Sequence, residues 1–310
     1  MKTISLGTSG LRVPAIAIGC MRLNGLDKAK AQRFIHTCID LGANFFDHAD
    51  VYGGGASAGA CETLFAEALG MNSLVRENVM LQSKCGIRPG VAFDFSKEHI
   101  LASVDGILKR LKTDYLDTLL LHRPDALMEP EEVADAFTAL HNAGKVRIFG
   151  VSNQNPMQIR LLQKYVPLPI AVNQLQLSIT NAAMISQGLH VNMQDDAAVN
   201  RDGGVLDFCR LNDITIQAWS PFQYGFFEGV FLGSEKFPAL NAKITEIAAK
   251  YGVSGTAIAI AWILRHPAHI QPVTGSMNEE RIKDCVKATD ITLTREEWYA
   301  IYMAAGNTLP

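Results

Sequence analysis

Short apolar runs alternate along this chain with longer stretches whose apolar residues recur three and four apart. Thr3 to Leu6 and Leu11 to Val13 flank Gly7-Thr8-Ser9-Gly10 and predict a hairpin ahead of the main fold. Ala15 to Ile18 is the first apolar strand, ended by Gly19. Ala31, Phe34, Ile35 and Cys38 then keep helical spacing, with Asp27 placed to cap the start and Gly42 just past the end. The second strand begins at Phe45 and meets a carboxylate at Asp47; a helix over about Cys61 to Leu69 follows. Val79 to Lys84 is the third strand, and Ser96 caps a helix carrying Ile100, Val104, Leu108 and Leu111 on one face. The fourth strand, Leu119-Leu120-Leu121, ends at His122. Pro130 suits the first turn of a helix running to Gly144.

The same beat continues to the end of the chain. Val146 to Val151 is the fifth strand, Asn155-Pro156 opens a helix that stops before Pro167, and Ile170 to Leu175 is the sixth strand. The polar stretch 181–204 predicts a long loop with a helical piece. A helix over Leu206 to Leu211 leads to the seventh strand, Ile214 to Trp219. Ser220 to Phe237, rich in Gly and Phe, predicts a long functional loop. Helices over Ala239 to Tyr251 and Ser254 to Arg265 precede the eighth strand, Ile270 to Thr274. A helix starts near Asn278, and Thr294 with Glu297 forms a capping box for the last one.

About eight strand–helix beats with no composition break predict one α/β domain over 1–310. Its expected form is a (β/α)8 TIM barrel with an N-terminal β-hairpin and a C-terminal helix. A doubly wound sheet is the alternative, but no G-x-G-x-x-G follows the first strand. Composition adds exclusions. The 310 residues are 48% apolar and 19% charged, with net charge −3, which gives no support for nucleic-acid or anionic-membrane binding. The longest apolar run, Ala257 to Leu264, is far below the roughly 20 residues of a membrane span. The N-terminus has no apolar signal segment, and the six scattered cysteines form no C-x-x-C pair, so a reducing, cytoplasmic setting is expected.

Titratable residues at strand ends change the picture most. Asp47, Lys84 and His122 close apolar strands, and Tyr52 follows Asp47 before a glycine run. In a closed barrel such ends gather at one rim, where polar residues read as catalytic. A buried Lys84 needs an anion, and Asp47 on the neighbouring strand can supply it. A charged Lys84 is expected to lower the Tyr52 phenol pKa and make it a proton donor, while His122 holds a substrate oxygen. Around the same rim lie Ser152, Asn153, Asn173, Gln174 and Trp219, amides and hydroxyls suited to a carboxamide and an aromatic face suited to a planar ring. After the eighth strand, Gly275-Ser276-Met277-Asn278 opens a helix, with Arg281 and Lys283 adding positive charge for an anion. Two other chemistries use parts of this set: a Schiff-base aldolase with Lys84 as free amine, and a metal-dependent hydrolase with Asp47, His48, Asp50 and His122.

As a series, Phe46-Asp47-His48-Ala49-Asp50-Val51-Tyr52, Ser83-Lys84, Leu121-His122-Arg123-Pro124-Asp125, Gly150-Val151-Ser152-Asn153, Asn173-Gln174, Trp219-Ser220-Pro221 and Gly275-Ser276 resemble the motifs of the aldo-keto reductase superfamily, in that family's order and over nearly the whole chain. The Asp-His-Ala-Asp variant and Met21-Arg22-Leu23 look most like a bacterial branch of predicted oxidoreductases. The resemblance implies an NADPH-dependent carbonyl reductase with the tetrad Asp47, Tyr52, Lys84 and His122, no metal, and a small aldehyde or ketone as substrate. Its NADP(H) contacts fall on Gly19, Met21, Asp47, Ser152, Asn153, Gln174, Trp219, Ser220, Phe222, Gly275, Ser276, Met277, Asn278 and Arg281, with NAD(H) as the second cofactor. Gly275 stands where many members carry a basic residue, which implies a modest NADPH preference, and Cys20-Met21 replaces a common aromatic substrate wall. An NADP-binding sensing subunit with weak turnover is the non-enzymatic alternative.

Overall fold

A computed structural model describes all 310 residues. Eight parallel strands close into a barrel: β1 (Ala17–Gly19), β2 (Phe45–Asp47), β3 (Met80–Cys85), β4 (Leu116–Leu121), β5 (Val146–Ser152), β6 (Ile170–Gln176), β7 (Thr215–Trp219) and β8 (Gln271–Thr274). Each strand pairs with its sequence neighbour, and β8 returns to β1 through Val273 opposite Ala17. The hairpin Thr3–Ser5 with Arg12–Pro14 lies under the barrel, where Leu6 and Val13 pack with Ala17, Phe45, Leu120, Val172 and Val273 as its floor.

The caps explain why the helices begin where they do. Asp27 accepts from Lys30 N, Ser96 from His99 N and Asn278 from Arg281 N; Asn155 and Thr294 form capping boxes with Gln158 and Glu297. Between the helices and the strands sits the main apolar core, with residues such as Phe46, Phe65, Phe137, Phe149, Trp262 and Tyr302. Helix Gly255–Leu264 is apolar all round because every residue from Ala257 to Ile263 is buried. No single helix is long and apolar enough to cross a membrane.

Most expected elements recur with shifts of one or two residues, β4 begins three residues before the expected Leu119, and the other differences are local. The 181–204 stretch holds the helix Ala183–Leu189 and a turn at Asp196–Ala198. The 220–237 stretch is more ordered than a plain loop: Gln223–Tyr224 pairs with Gly229–Val230. A second small hairpin, Ile87–Arg88 with Ala92–Phe93, follows β3 where none was expected.

Candidate active site

Register places the polar strand ends on one layer. Asp47 pairs in register with Gln82 of β3, and Lys84 lies two residues beyond Gln82 on the same face. The Lys84 side chain is fully buried. Its ammonium meets Asp47 Oδ1 and Oδ2 at 2.7 Å each, His48 O at 2.8 Å and Tyr52 Oη at 3.1 Å. Tyr52 is held over this ion pair by a tight turn: its N–H donates to Ala49 O, and its own carbonyl accepts from Gly59 N. Gly53 makes the turn possible, since its φ is +114° and a Cβ there would stand 2.2 Å from Ser57 O. The His122 ring lies edge-on to Tyr52 with centroids 6.0 Å apart.

Electrostatics follow from burial and these contacts. Burial pulls the Lys84 ammonium down, but Asp47 and then Tyr52 outweigh it and hold it above the usual lysine range. For Tyr52, burial pushes the phenol up and Lys84 pulls it down; burial is the larger, and the net position is above the ordinary phenol. This corrects the expectation of a phenol brought toward neutrality: Lys84 acts in the expected direction, but desolvation wins. Burial, then Lys84 and Arg123, push the His122 imidazole well below its usual range, so it is neutral, and its buried Nδ1 has no partner in the protein.

A cavity of about 830 Å³ opens above the tetrad, within the roughly 300–1,000 Å³ usual for ligand clefts. Asp47, Tyr52 and His122 line it, with Lys84 buried behind them. The expected cofactor residues all line it as well: Gly19, Met21, Ser152, Asn153, Gln174, Trp219, Ser220, Phe222, Gly275, Ser276, Met277, Asn278 and Arg281. Two of them, Asn153 (φ 57°) and Ser220 (φ 53°), adopt the left-handed region that L-residues seldom occupy and that clusters at ligand sites. Asn153 is fixed by its backbone bond to Gln174 O and by accepting from Trp219 Nε1 at 3.2 Å. Phe227 stacks on Trp219 at 5.9 Å.

Asn173 and Lys283 do not join the site. Alternation turns Asn173 away from the barrel interior, where its amide donates to Gln154 O, and Lys283 pairs with Glu280 on the surface. The residues named for the alternative chemistries do not fit them either. Lys84 is tied to a carboxylate rather than a free amine, and no three His, Cys, Asp or Glu side chains come together in ligand geometry. His48 is instead buried edge-on against Phe65 and pushed down to about 3 by burial and then Lys84.

Among the lining residues missed from sequence, such as Gln223, Phe227 and Thr256, are two arginines. Arg22 reaches over from the loop after β1: its Nη1 stands 3.4 Å from Gly275 O and 2.9 Å from where a Cβ at 275 would sit. The cation absent at position 275 is thus matched in space by one 253 residues earlier, and Met21-Arg22-Leu23 was the only signal for it. Arg123, next to His122, lies 5.5 Å from the Trp219 ring and 5.9 Å from Phe226.

Comparison with known proteins supplies the family. The model of the Aldo/keto reductase family matches residues 15–304. The chain is 39% identical to the uncharacterized oxidoreductase YcsN of Bacillus subtilis (strain 168), over 97% of each chain. It is 35% identical to a 6-dehydroglucose reductase of Novosphingobium aromaticivorans, covering 98% of this chain and 96% of that one. A thermostable aldo-keto reductase crystallised with the inhibitor epalrestat superposes with a TM-score of 0.77 at 27% identity, over 98% of this chain and 100% of the other. The chain belongs to the Aldo/keto reductase family and is an NAD(P)H-dependent oxidoreductase.

Proposed function

We propose that this protein reduces an aldehyde or ketone to the alcohol, with NADPH preferred over NADH, and that Tyr52 is the general acid. The direction of one hydrogen bond carries the reading. Lys84 Nζ can only donate, so at 3.1 Å it makes Tyr52 Oη the acceptor and leaves the phenol proton free to face the cavity. A bound NADPH would supply the hydride that forms the new C–H bond at the carbonyl carbon. Tyr52 gives its proton to the carbonyl oxygen as the C=O π bond breaks. Lys84, kept charged by Asp47, stabilises the phenolate left behind until water restores the proton. The raised phenol pKa keeps that proton in place near neutral pH, and an alkoxide is basic enough to take it. Neutral His122 orients the carbonyl oxygen and donates to the charge developing there. The fully assembled tetrad favours turnover over a sensing role.

The residues present suit the cofactor. Ser152, Asn153 and Gln174 can hold a carboxamide, and Trp219 can pack beside a flat ring. At the far end Arg281 and Arg22 have no carboxylate partner, and with Ser276 and Asn278 they suit phosphate oxygens. Six free cysteines, all buried, accord with a cytoplasmic setting. NADPH oxidation should be followed against a panel of aldehydes, ketones and quinones, with sugar aldehydes first because a 35% identical relative bears the name 6-dehydroglucose reductase. Turnover of at least one carbonyl is the expected result; tight NADPH binding with no turnover across the panel would return the sensing reading.

A further inference from the structure

A band of carboxamides crosses the barrel beneath the site. Gln82 of β3, Gln174 of β6, Gln217 of β7 and Gln271 of β8 are all buried. Barrel interiors are usually filled by branched apolar side chains, and a buried amide is costly unless its hydrogen bonds are made. Here they are made, in one connected set. Gln82 Nε2 donates to Asp47 Oδ1 at 2.6 Å and to Gln217 Oε1 at 2.8 Å. Gln217 Nε2 returns a bond to Gln82 Oε1 at 3.1 Å and donates to Gln271 Oε1 at 2.8 Å. Gln174 Nε2 donates to Asp47 Oδ1 at 3.1 Å and to Gln217 Oε1 at 3.0 Å. Gln271 Nε2 anchors the band by donating to Pro14 O at 2.6 Å, in the hairpin below.

The orientation of each amide is forced. The Asp47 carboxylate accepts and cannot donate, so Gln82 and Gln174 must turn their NH2 groups to it. Both N–H groups of Gln174 are then used within the protein, and its carbonyl oxygen is left for whatever occupies the cavity it lines. Flipping Gln174 would set its oxygen against a carboxylate and against the Gln217 oxygen.

We propose that Gln82 and Gln217 are positioning residues for the reductase reaction: through one hydrogen-bonded band they hold Asp47, and with it Lys84 and Tyr52, and they fix Gln174 so that its oxygen receives an amide N–H of the nicotinamide carboxamide. The inference rests on the proposed reductase reading and adds that cofactor headgroup and general acid are aligned by the same band. Core packing alone would predict otherwise: removing one amide leaves its buried partners unpaired and lowers stability, but kcat, its pH profile and the Kd for NADPH stay at the parent's level.

Gln82→Met, Gln217→Met and Gln271→Met separate the two accounts. A small misplacement at a reacting centre can cost up to about 10²-fold, and we expect Gln82→Met to lower kcat about tenfold with little change in substrate KM. The alkaline limb of its kcat profile should move, since Asp47 sets the charge beside Tyr52. Gln217→Met frees Gln174 to turn, so its Kd for NADPH, read by fluorescence quenching, should weaken by about tenfold. Gln271→Met, one amide further from Asp47, should do least on both measures. Melting temperatures show that each variant is folded. Should Gln82→Met and Gln217→Met keep the parent's kcat, pH profile and NADPH Kd, the band is packing and the proposal is wrong. If the parent binds NADPH yet reduces nothing, the reductase reading fails, while the Kd of Gln217→Met still decides the role of the band.

Discussion

The two sides of the cavity are built differently. On the β2–β4 side the ionic groups are already matched: Lys84 meets Asp47, His48 O and Tyr52, and Asp47 Oδ1 also accepts from two glutamines. On the β8–β1 side the cations are unmatched: only the backbone N–H of Arg281 is bonded, its guanidinium has no protein partner, and Arg22 has a single 3.4 Å bond to a carbonyl. Both arginines are exposed, whereas Lys84 and Asp47 are buried. The buried side keeps its geometry through its own bonds and has little to gain from a ligand. The open side carries unmatched positive charge that phosphate oxygens would match under the proposed cofactor reading. Variants of the first should therefore change rate, and variants of the second should change cofactor affinity.

Tyr52→Phe is the most severe test of this division. It removes one hydroxyl and little volume, so NADPH binding should hold at the parent's level while turnover falls by about 10²-fold or more, the usual range for a lost general acid. Single-turnover kinetics with a measured Kd would show it, and near-parental turnover would end the tetrad assignment. Lys84→Met should slow turnover comparably and also lower the melting temperature, because a buried carboxylate loses its partner at a cost of about 3–5 kcal/mol. A melting temperature equal to the parent's would mean that the Asp47–Lys84 pair does not hold this side together.

On the open side, Arg281→Ala and Arg22→Ala should weaken NADPH binding and leave kcat near the parent's at saturating cofactor. Charge-assisted bonds contribute about 1.5–3 kcal/mol, hence roughly ten- to a hundredfold. Exposure places both variants at the low end. NADH affinity should change less than NADPH affinity for whichever arginine meets the 2′-phosphate. Titrating both cofactors identifies that arginine, and equal loss for NADH and NADPH would assign it to the pyrophosphate instead. A fall in kcat at saturation would blur the two sides into one.

The sequence made the two sides unequally legible. Apolar runs ending in Asp47, Lys84 and His122 showed the barrel and its rim because strand alternation is local. What Gln82 meets was not readable. Its partner Gln217 is 135 residues away and becomes a neighbour only when the barrel closes. Arg22 over Gly275 is the same problem at greater separation. The phenol pKa was misjudged for another reason: the sequence named the lysine but not the depth of burial, and depth proved the larger effect. Phe226 and Phe227 over Trp219 depend on how the 220–237 stretch folds back, which residue type alone does not fix.

The matched side has one exception, and it gives the smallest expected effect. Asp50, two residues before Tyr52, has a buried Oδ1 with no partner, and its carboxyl is pushed up to about 7 by burial and then by Glu62. Glu62 is itself held by Ser83 Oγ at 2.7 Å and Arg110 Nε at 2.7 Å, so it is not free to relieve its neighbour. In the unfolded chain Asp50 should titrate near 3.9. Between about pH 4 and pH 7 the folded protein therefore binds a proton that the unfolded chain does not, and stability falls as pH rises through that window. The ceiling is about 1.4 kcal/mol per pH unit, and partial exposure brings the expected total to about 1 kcal/mol. Asp50→Asn keeps the shape and removes the ionisation. Its melting temperature relative to the parent should thus be higher at pH 8 than at pH 5, by roughly 2 °C. A difference that stays constant across that range would mean Asp50 ionises normally, and that the β2–β4 side carries no uncompensated charge of its own.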